Sequence, residues 1–249
     1  MLEKMDLRPD GLHITRKKDF QPLGEFDERT IEKTLDFAYA MSFGNMGEHR
    51  DHRSGGMHTR KNGEIFANTF QGKLSEFALY NELCEDCELE MPDLSTYGLG
   101  EWDDCDFIIG GIKVAIKSTK SYGNLLLLES KDWNGSGEYI PNLSKGSSSY
   151  DVFVLIRIAP YCEDLLRRNR MLYSQTENKE TLESLIYNEL WEYDIPGFVT
   201  KEELNFAITN NHIIRQGQKL NGKISMDAEN YYIQSGDMDS IINLKKIFA

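Results

Sequence analysis

The chain has 249 residues, of which 40% are hydrophobic and 11% aromatic, enough for one large α/β domain, or a domain with an appended lobe, around a real core. Its formal net charge of −13 argues against a protein that coats nucleic acid by bulk electrostatics, but leaves room for a local basic patch. No apolar run approaches the length of a membrane span, and the N-terminal MLEKMDLRPDG lacks the apolar core of a signal peptide, so a cytoplasmic protein is expected.

Residues 1–30 are polar, carry the basic Arg16-Lys17-Lys18, and read as an arm or a short first element. Residues 27–43 read as a helix, because Ile31, Leu35, Ala38, Tyr39 and Ser42 recur at helical spacing. Residues 44–64, GNMGEHRDHRSGGMHTRKNGE, differ in kind: apolar side chains are almost absent and glycines bracket the run. His49, Arg50, His52, Arg53, His58, Arg60 and Lys61 supply donors suited to phosphate oxygens and guanine edges, so DNA contact is the leading reading of this loop. A solvated charged loop is the bland alternative; a histidine metal cluster is least favoured, since His-x-x-His occurs there once with no well-placed third ligand.

IFANTF, residues 65–70, reads as a short strand or extended lead-in, and residues 72–88 as a helix with a core stripe of Leu74, Phe77, Ala78, Leu83 and Cys84. Lys73 on this helix faces DNA phosphate or water. Cys84 and Cys87 form a CxxC, but a zinc site needs two more ligands at sensible spacing, so reduced core thiols are expected. Residues 89–105 are a loop, and acids concentrate over 82–106.

Asp106 to Lys120, DFIIGGIKVAIKSTK, is the stretch with chemistry in it. Phe107 to Ile109 form one strand and Gly110-Gly111 signals a hairpin. On the second strand Ile112, Val114 and Ile116 alternate with Lys113, Ala115 and Lys117, giving one apolar face and one that carries Ala115 and Lys117. A closed hairpin lets Asp106 approach Lys117. Beyond it, Leu125 to Leu128 is a strand or a buried helical turn, followed by Glu129, and residues 133–149 read as a flexible polar connection. Tyr150 to Ile158 is a central strand covered on both faces, expected beside the Lys117 strand through a crossover. Residues 162–193 look helical, Thr200-x-x-Glu203 is a capping box opening a helix over 201–209, and the helices around Pro196-Gly197 suggest a weak helix-turn-helix signal. Residues 212–233 read as short strands for base contact or dimer pairing.

An acid, a hairpin and then acid-any-Lys is the pattern of the PD-(D/E)XK nucleases, among them type II restriction endonucleases, and the chain resembles it over roughly residues 72–158. Asp106 matches the first acid, ahead of Asp103 and Asp104, and Lys117 matches the lysine. Glu76 matches, by order and context, the glutamate that the preceding helix often offers, and Ala115 stands where the second acid belongs. The resemblance implies a restriction-endonuclease-like α/β core, with a mixed central β-sheet flanked by helices. Residues 1–160 hold that core, the arm and the 44–64 loop; residues 161–249 form a helical and short-strand extension packed on the same domain. It further implies an Mg²⁺-dependent double-stranded DNA endonuclease acting as a homodimer. Asp106 and an acid at position 115 hold metal, Glu76 holds a second metal or polarises Lys117, Lys117 positions water, and Lys73 and Lys120 join the loop residues on DNA. With Ala115 the chain is expected to cleave poorly or not at all. The acid was replaced to trap a DNA complex, was lost in a natural pseudo-enzyme, or is supplied by Glu129. The competing expectation is a non-catalytic DNA-binding or regulatory module on a degenerate nuclease fold; a third, weaker one is an RNA-directed or defence effector nuclease.

Overall fold

The computed structural model describes residues 2–44, 60–94, 106–146 and 148–248. Short strands β1 (Asp6–Arg8), β2 (Gly11–His13) and β3 (Gly24–Glu25) precede α1 (Glu28–Ser42) and α2 (Asn62–Leu83). Then come β4 (Phe107–Ile109), β5 (Ile112–Lys120), β6 (Leu125–Glu129), β7 (Val152–Ala159), α3 (Cys162–Arg168), α4 (Lys179–Tyr187), β8 (Glu192–Thr200) and α5 (Lys201–Thr209). The chain closes with β9 (Ile213–Ile214), β10 (Lys219–Leu220), β11 (Ile224–Ser225), β12 (Asn230–Gln234) and α6 (Ile241–Phe248). The fold is mixed α/β. No helix among the described residues is long and apolar enough to cross a membrane.

The main sheet has the order β3-β8-β7-β5-β4, with β5 and β7 parallel and the other pairs antiparallel. Its central strand β7, VFVLIRIA, is covered on both faces and apolar on both apart from Arg157. Val152, Val154, Ile156 and Ile158 pack with Val114 and Ile116 against Phe70, Leu74, Phe77 and Ala78 of α2. Phe153 and Leu155 point the other way and pack with Ala115, Leu126, Leu128 and Leu204. A second sheet, β6-β12-β9, lies on that side, and a third, β1-β2-β10-β11, lies beyond. The strands after residue 160 are woven into all three sheets: β8 pairs with β7, β12 with β6 and β10 with β2.

Several local expectations change. IFANTF is not extended; it is part of α2, where Phe66, Phe70, Leu74 and Phe77 continue one helical stripe and Phe66 stacks on Phe70. Gly63 lets this helix start hard against the chain after α3, since a Cβ there would sit 2.1 Å from the Met171 carbonyl oxygen. Residues 162–193 form two helices, α3 and α4, and Pro196-Gly197 lies inside β8, so there is no helix-turn-helix here. Thr200 does cap α5 reciprocally with Glu203. The connection after β6 is anchored by Trp133, whose ring lies 5.3 Å from both Tyr139 and Phe153. α2 stops at Leu83, leaving Cys84 exposed and Cys87 half-buried; both are free thiols, but neither is in the core. The strands over 212–233 complete the second and third sheets.

The N-terminal arm is held by buried polar groups. The Arg157 guanidinium on β7 is 1% exposed and bonds bidentately to Asp194 of β8 at 2.8 and 2.5 Å. Its remaining donors reach the carbonyl oxygens of Lys18, Asp19 and Gly123, so one side chain ties the arm to the sheet and to the β5–β6 turn. Removing one member of such a pair leaves the other charge buried alone. Arg157→Met is therefore expected to lower unfolding free energy by about 3–5 kcal/mol, and pairing it with Asp194→Leu to recover part of that loss. Urea unfolding reads both; a loss below about 1 kcal/mol for the single variant would contradict this role.

Candidate active site

The β4–β5 hairpin closes through two glycines, Gly110 and Gly111, at φ of +57° and +84°. Positive φ at both central residues suits the twist of a two-residue hairpin and is nearly strain-free only for glycine. The register pairs Ile109 with Ile112 and Phe107 with Val114, so one further step sets Asp106 opposite Ala115. There the Asp106 Oδ2 accepts a hydrogen bond from the Ile116 backbone N–H at 2.5 Å. The carboxylate has taken the place of a ladder carbonyl. It therefore lies near the plane of the sheet, against β5 between Ala115 and Lys117.

Alternation along β5 divides the neighbouring side chains. Val114 and Ile116 enter the helix-side core, while Ala115, 3% exposed, enters the opposite core with Leu126, Leu128 and Phe153. Lys117 follows Ala115 on that second side and is half-buried. Glu76 comes from α2, on the helix side. Its carboxylate pairs with Lys73 Nζ at 2.8 Å, both side chains being about 15% exposed (16% for Lys73, 15% for Glu76). Lys73, Glu76 and Asp106 line one cleft of about 1080 Å³. Its other walls are the segment after α2, with Glu88, Glu90 and Asp93, together with β4 and Phe248 of α6. Ala115 and Lys117 do not line it. The structure thus brings Asp106 and Glu76 together in a cleft and brings Asp106 to the backbone beside Lys117. It leaves Lys117 and Glu76 on opposite sides of β5.

Glu129 does not stand in for the missing acid. On β6, Leu126 and Leu128 face the Ala115 core, whereas Leu125 and Leu127 face the third sheet, and Glu129 shares the latter face. Burial raises its carboxyl pKa, and Lys131 Nζ stands 3.4 Å from its Oε2 without hydrogen-bond geometry.

His49, Arg50, His52, Arg53, His58, Asp103 and Asp104 lie outside the described residues. Arg60 and Lys61 sit at the start of α2, where the Lys61 N–H donates to Glu64 Oε2 at 2.9 Å. At 1.5 Å per residue, Lys61 is roughly 22 Å along the helix axis from Glu76. Lys120 is at the far end of β5, its ammonium 4.7 Å from the Tyr122 ring centre and 5.8 Å from that of Tyr161. One cleft wall went unread in the sequence: Phe248 ends a short amphipathic helix with no motif around it, while the acids over 88–93 read mostly as a solvated loop with a metal site as a lesser contribution.

The donor set fits a hard divalent ion in kind. Asp106 and Glu76 offer carboxylate oxygens, and Mg²⁺ is commonly held by one or two carboxylates, with water and phosphate oxygens completing its shell. Among the described residues no group of three His, Cys, Asp or Glu side chains is placed to hold a metal. No family model matches the chain, and no curated protein or solved structure matches it either.

The bond from Ile116 makes a direct prediction. Asp106→Ala removes a charged acceptor and is expected to lower hydrogen-exchange protection of the Ile116 amide about tenfold or more. Site-resolved exchange measured by NMR gives the answer. Unchanged protection at Ile116 would show that the carboxylate does not rest on β5.

Proposed function

We propose that the chain is built on a PD-(D/E)XK-like, restriction-endonuclease-like scaffold, and that it is a cytoplasmic, homodimeric, Mg²⁺-dependent double-stranded DNA endonuclease held inactive by Ala115. The observation that carries this reading is the Asp106 carboxylate resting on the Ile116 N–H, one residue from both Ala115 and Lys117. An acid beside an alanine and a lysine at that spacing is the resembled motif with one group missing. Asp106 and Glu76 are the residues that would hold the metal, and an acid at position 115 would face Asp106 across the hairpin. A bound Mg²⁺ supplies Lewis acidity and lowers the pKa of a bound water. Lys117 lies on the face of position 115 and not in the cleft with Glu76, so it would orient a water and offset phosphate charge beside an acid at position 115.

Charge explains why such a cleft needs a cation. Glu76, Glu88, Glu90, Asp93 and Asp106 line it, against the single ammonium of Lys73 among the described residues. Carboxylates along these walls repel a phosphodiester wherever no cation offsets them. Arg60 and Lys61, which do not line the cleft, are candidates for DNA contact, and so by composition is the preceding His/Arg run.

A second reading, a non-catalytic DNA-binding or regulatory module on the same scaffold, is favoured by one observation. Ala115 is buried among Leu126, Leu128 and Phe153, surroundings that a carboxylate enters only at a cost in desolvation.

Nicking of supercoiled plasmid in Mg²⁺ separates the two. Ala115→Glu or Ala115→Asp is expected to cut at least about 100-fold faster than the present chain, since a metal-bound carboxylate acts directly on transition-state charge. The gain should vanish with chelator and with an added Lys117→Met. Folded Ala115→Glu and Ala115→Asp proteins that bind DNA yet leave the plasmid intact would overturn the endonuclease reading in favour of the second.

A further inference from the structure

Lys73 is an odd residue to find in this cleft. It lies on α2 three residues before Glu76, and the two side chains meet at 2.8 Å in a setting where both are largely withdrawn from solvent. A surface pair of this kind serves helix stability, but there the acid is better placed before the base, and the order here is the reverse. The pair also sits in the middle of a long helix, away from either end of its dipole. The Phe37 ring of α1, 5.5 Å from the ammonium, helps to fix it in place. Among the described residues, Lys73 is the one cationic side chain lining a cleft that holds five carboxylates.

We propose that Lys73 is a built-in counter-cation that occupies Glu76 and competes with a divalent ion for its carboxylate. The inference rests on the reading of the cleft given above and assigns Lys73 a positioning role. With Glu76 paired, the ammonium offsets part of the charge that would otherwise push the cleft walls apart. When Glu76 turns to a divalent ion, the same ammonium is freed beside the position a phosphate must enter. Lys73 therefore weakens ion binding in the absence of DNA and strengthens DNA binding once the ion is present.

The test uses the whole chain with Mn²⁺ as the probe, its binding followed by electron paramagnetic resonance. Lys73→Met is expected to tighten Mn²⁺ roughly tenfold, as removal of one close positive charge in a partly desolvated site should. Lys73→Arg, which keeps the pairing, should stay near the parent. Lys179→Met, which removes the same charge from α4, controls for net charge and should also leave affinity unchanged. In a second arm with Ca²⁺ present, Lys73→Met should reduce the salt slope of duplex DNA binding by about 0.9, the loss of one phosphate contact. Mn²⁺ affinity equal to the parent in Lys73→Met, with weakening in Glu76→Gln and Asp106→Asn, would overturn the counter-cation role and leave the cleft reading standing. Mn²⁺ binding indifferent to both Glu76→Gln and Asp106→Asn would remove the cleft reading and this inference with it. If Lys73→Met fails to fold by circular dichroism, Lys73→Gln reads the same competition with a polar side chain.

Discussion

Where β5 lies decides everything near the candidate site. The strand is fixed on both sides, parallel to the fully buried β7 and antiparallel to β4, so neither its register nor its faces can slip without exposing a core. The side-chain period of two then separates Val114 and Ile116 from Ala115 and Lys117. Asp106 stands where edge strand β4 gives out, and its carboxylate meets the Ile116 N–H in the plane of the sheet. A group in that plane is within reach of both faces. That is how one acid is shared between the helix-side cleft with Glu76 and the opposite side with position 115 and Lys117.

The charges of this acidic chain fall into two sets. Many cations are committed to holding the fold. Arg157 is saturated by Asp194 and backbone carbonyls, the Lys18 ammonium donates to the carbonyls of Pro196 and Met238, and Arg16 pairs with Asp237. Arg167 pairs with Glu163 and Asp164 on its own helix, and Lys245 with Asp86. Among the described residues, Lys73 is the one cationic side chain that lines the cleft with the acids. Of these cations only the Arg157 guanidinium is an internal staple; the Arg16 and Arg167 side chains are about half exposed, at 49% and 47%.

Much of this was legible in the sequence where a single period or turn signal dominated. The glycine pair gave the hairpin, continuous β-branched residues gave β7 beside β5, and Thr200-x-x-Glu203 gave the start of α5. The failures have physical causes. IFANTF has strand-like composition, but its phenylalanines extend the stripe of α2, and tertiary packing overrode local propensity. Pro196-Gly197 looked like a break between helices because a strand bulge tolerates the same two residues. At the site, the hairpin pointed to Asp106 approaching Lys117, but not to the bond its carboxylate accepts from the Ile116 N–H. Nor was the contribution of α6 legible, because a long-range cleft wall leaves no local pattern.

The central claim, that Asp106 and position 115 flank one divalent ion beside β5, is tested most directly by affinity cleavage of the protein itself. Fe²⁺ is substituted for Mg²⁺ in the Ala115→Glu variant, and hydroxyl radicals generated at the ion cut the nearby polypeptide. The account predicts cuts within residues 106–117 and around Glu76, lost when Asp106→Asn is added. Cuts elsewhere in the chain, or a pattern that Asp106→Asn leaves unchanged, would contradict it.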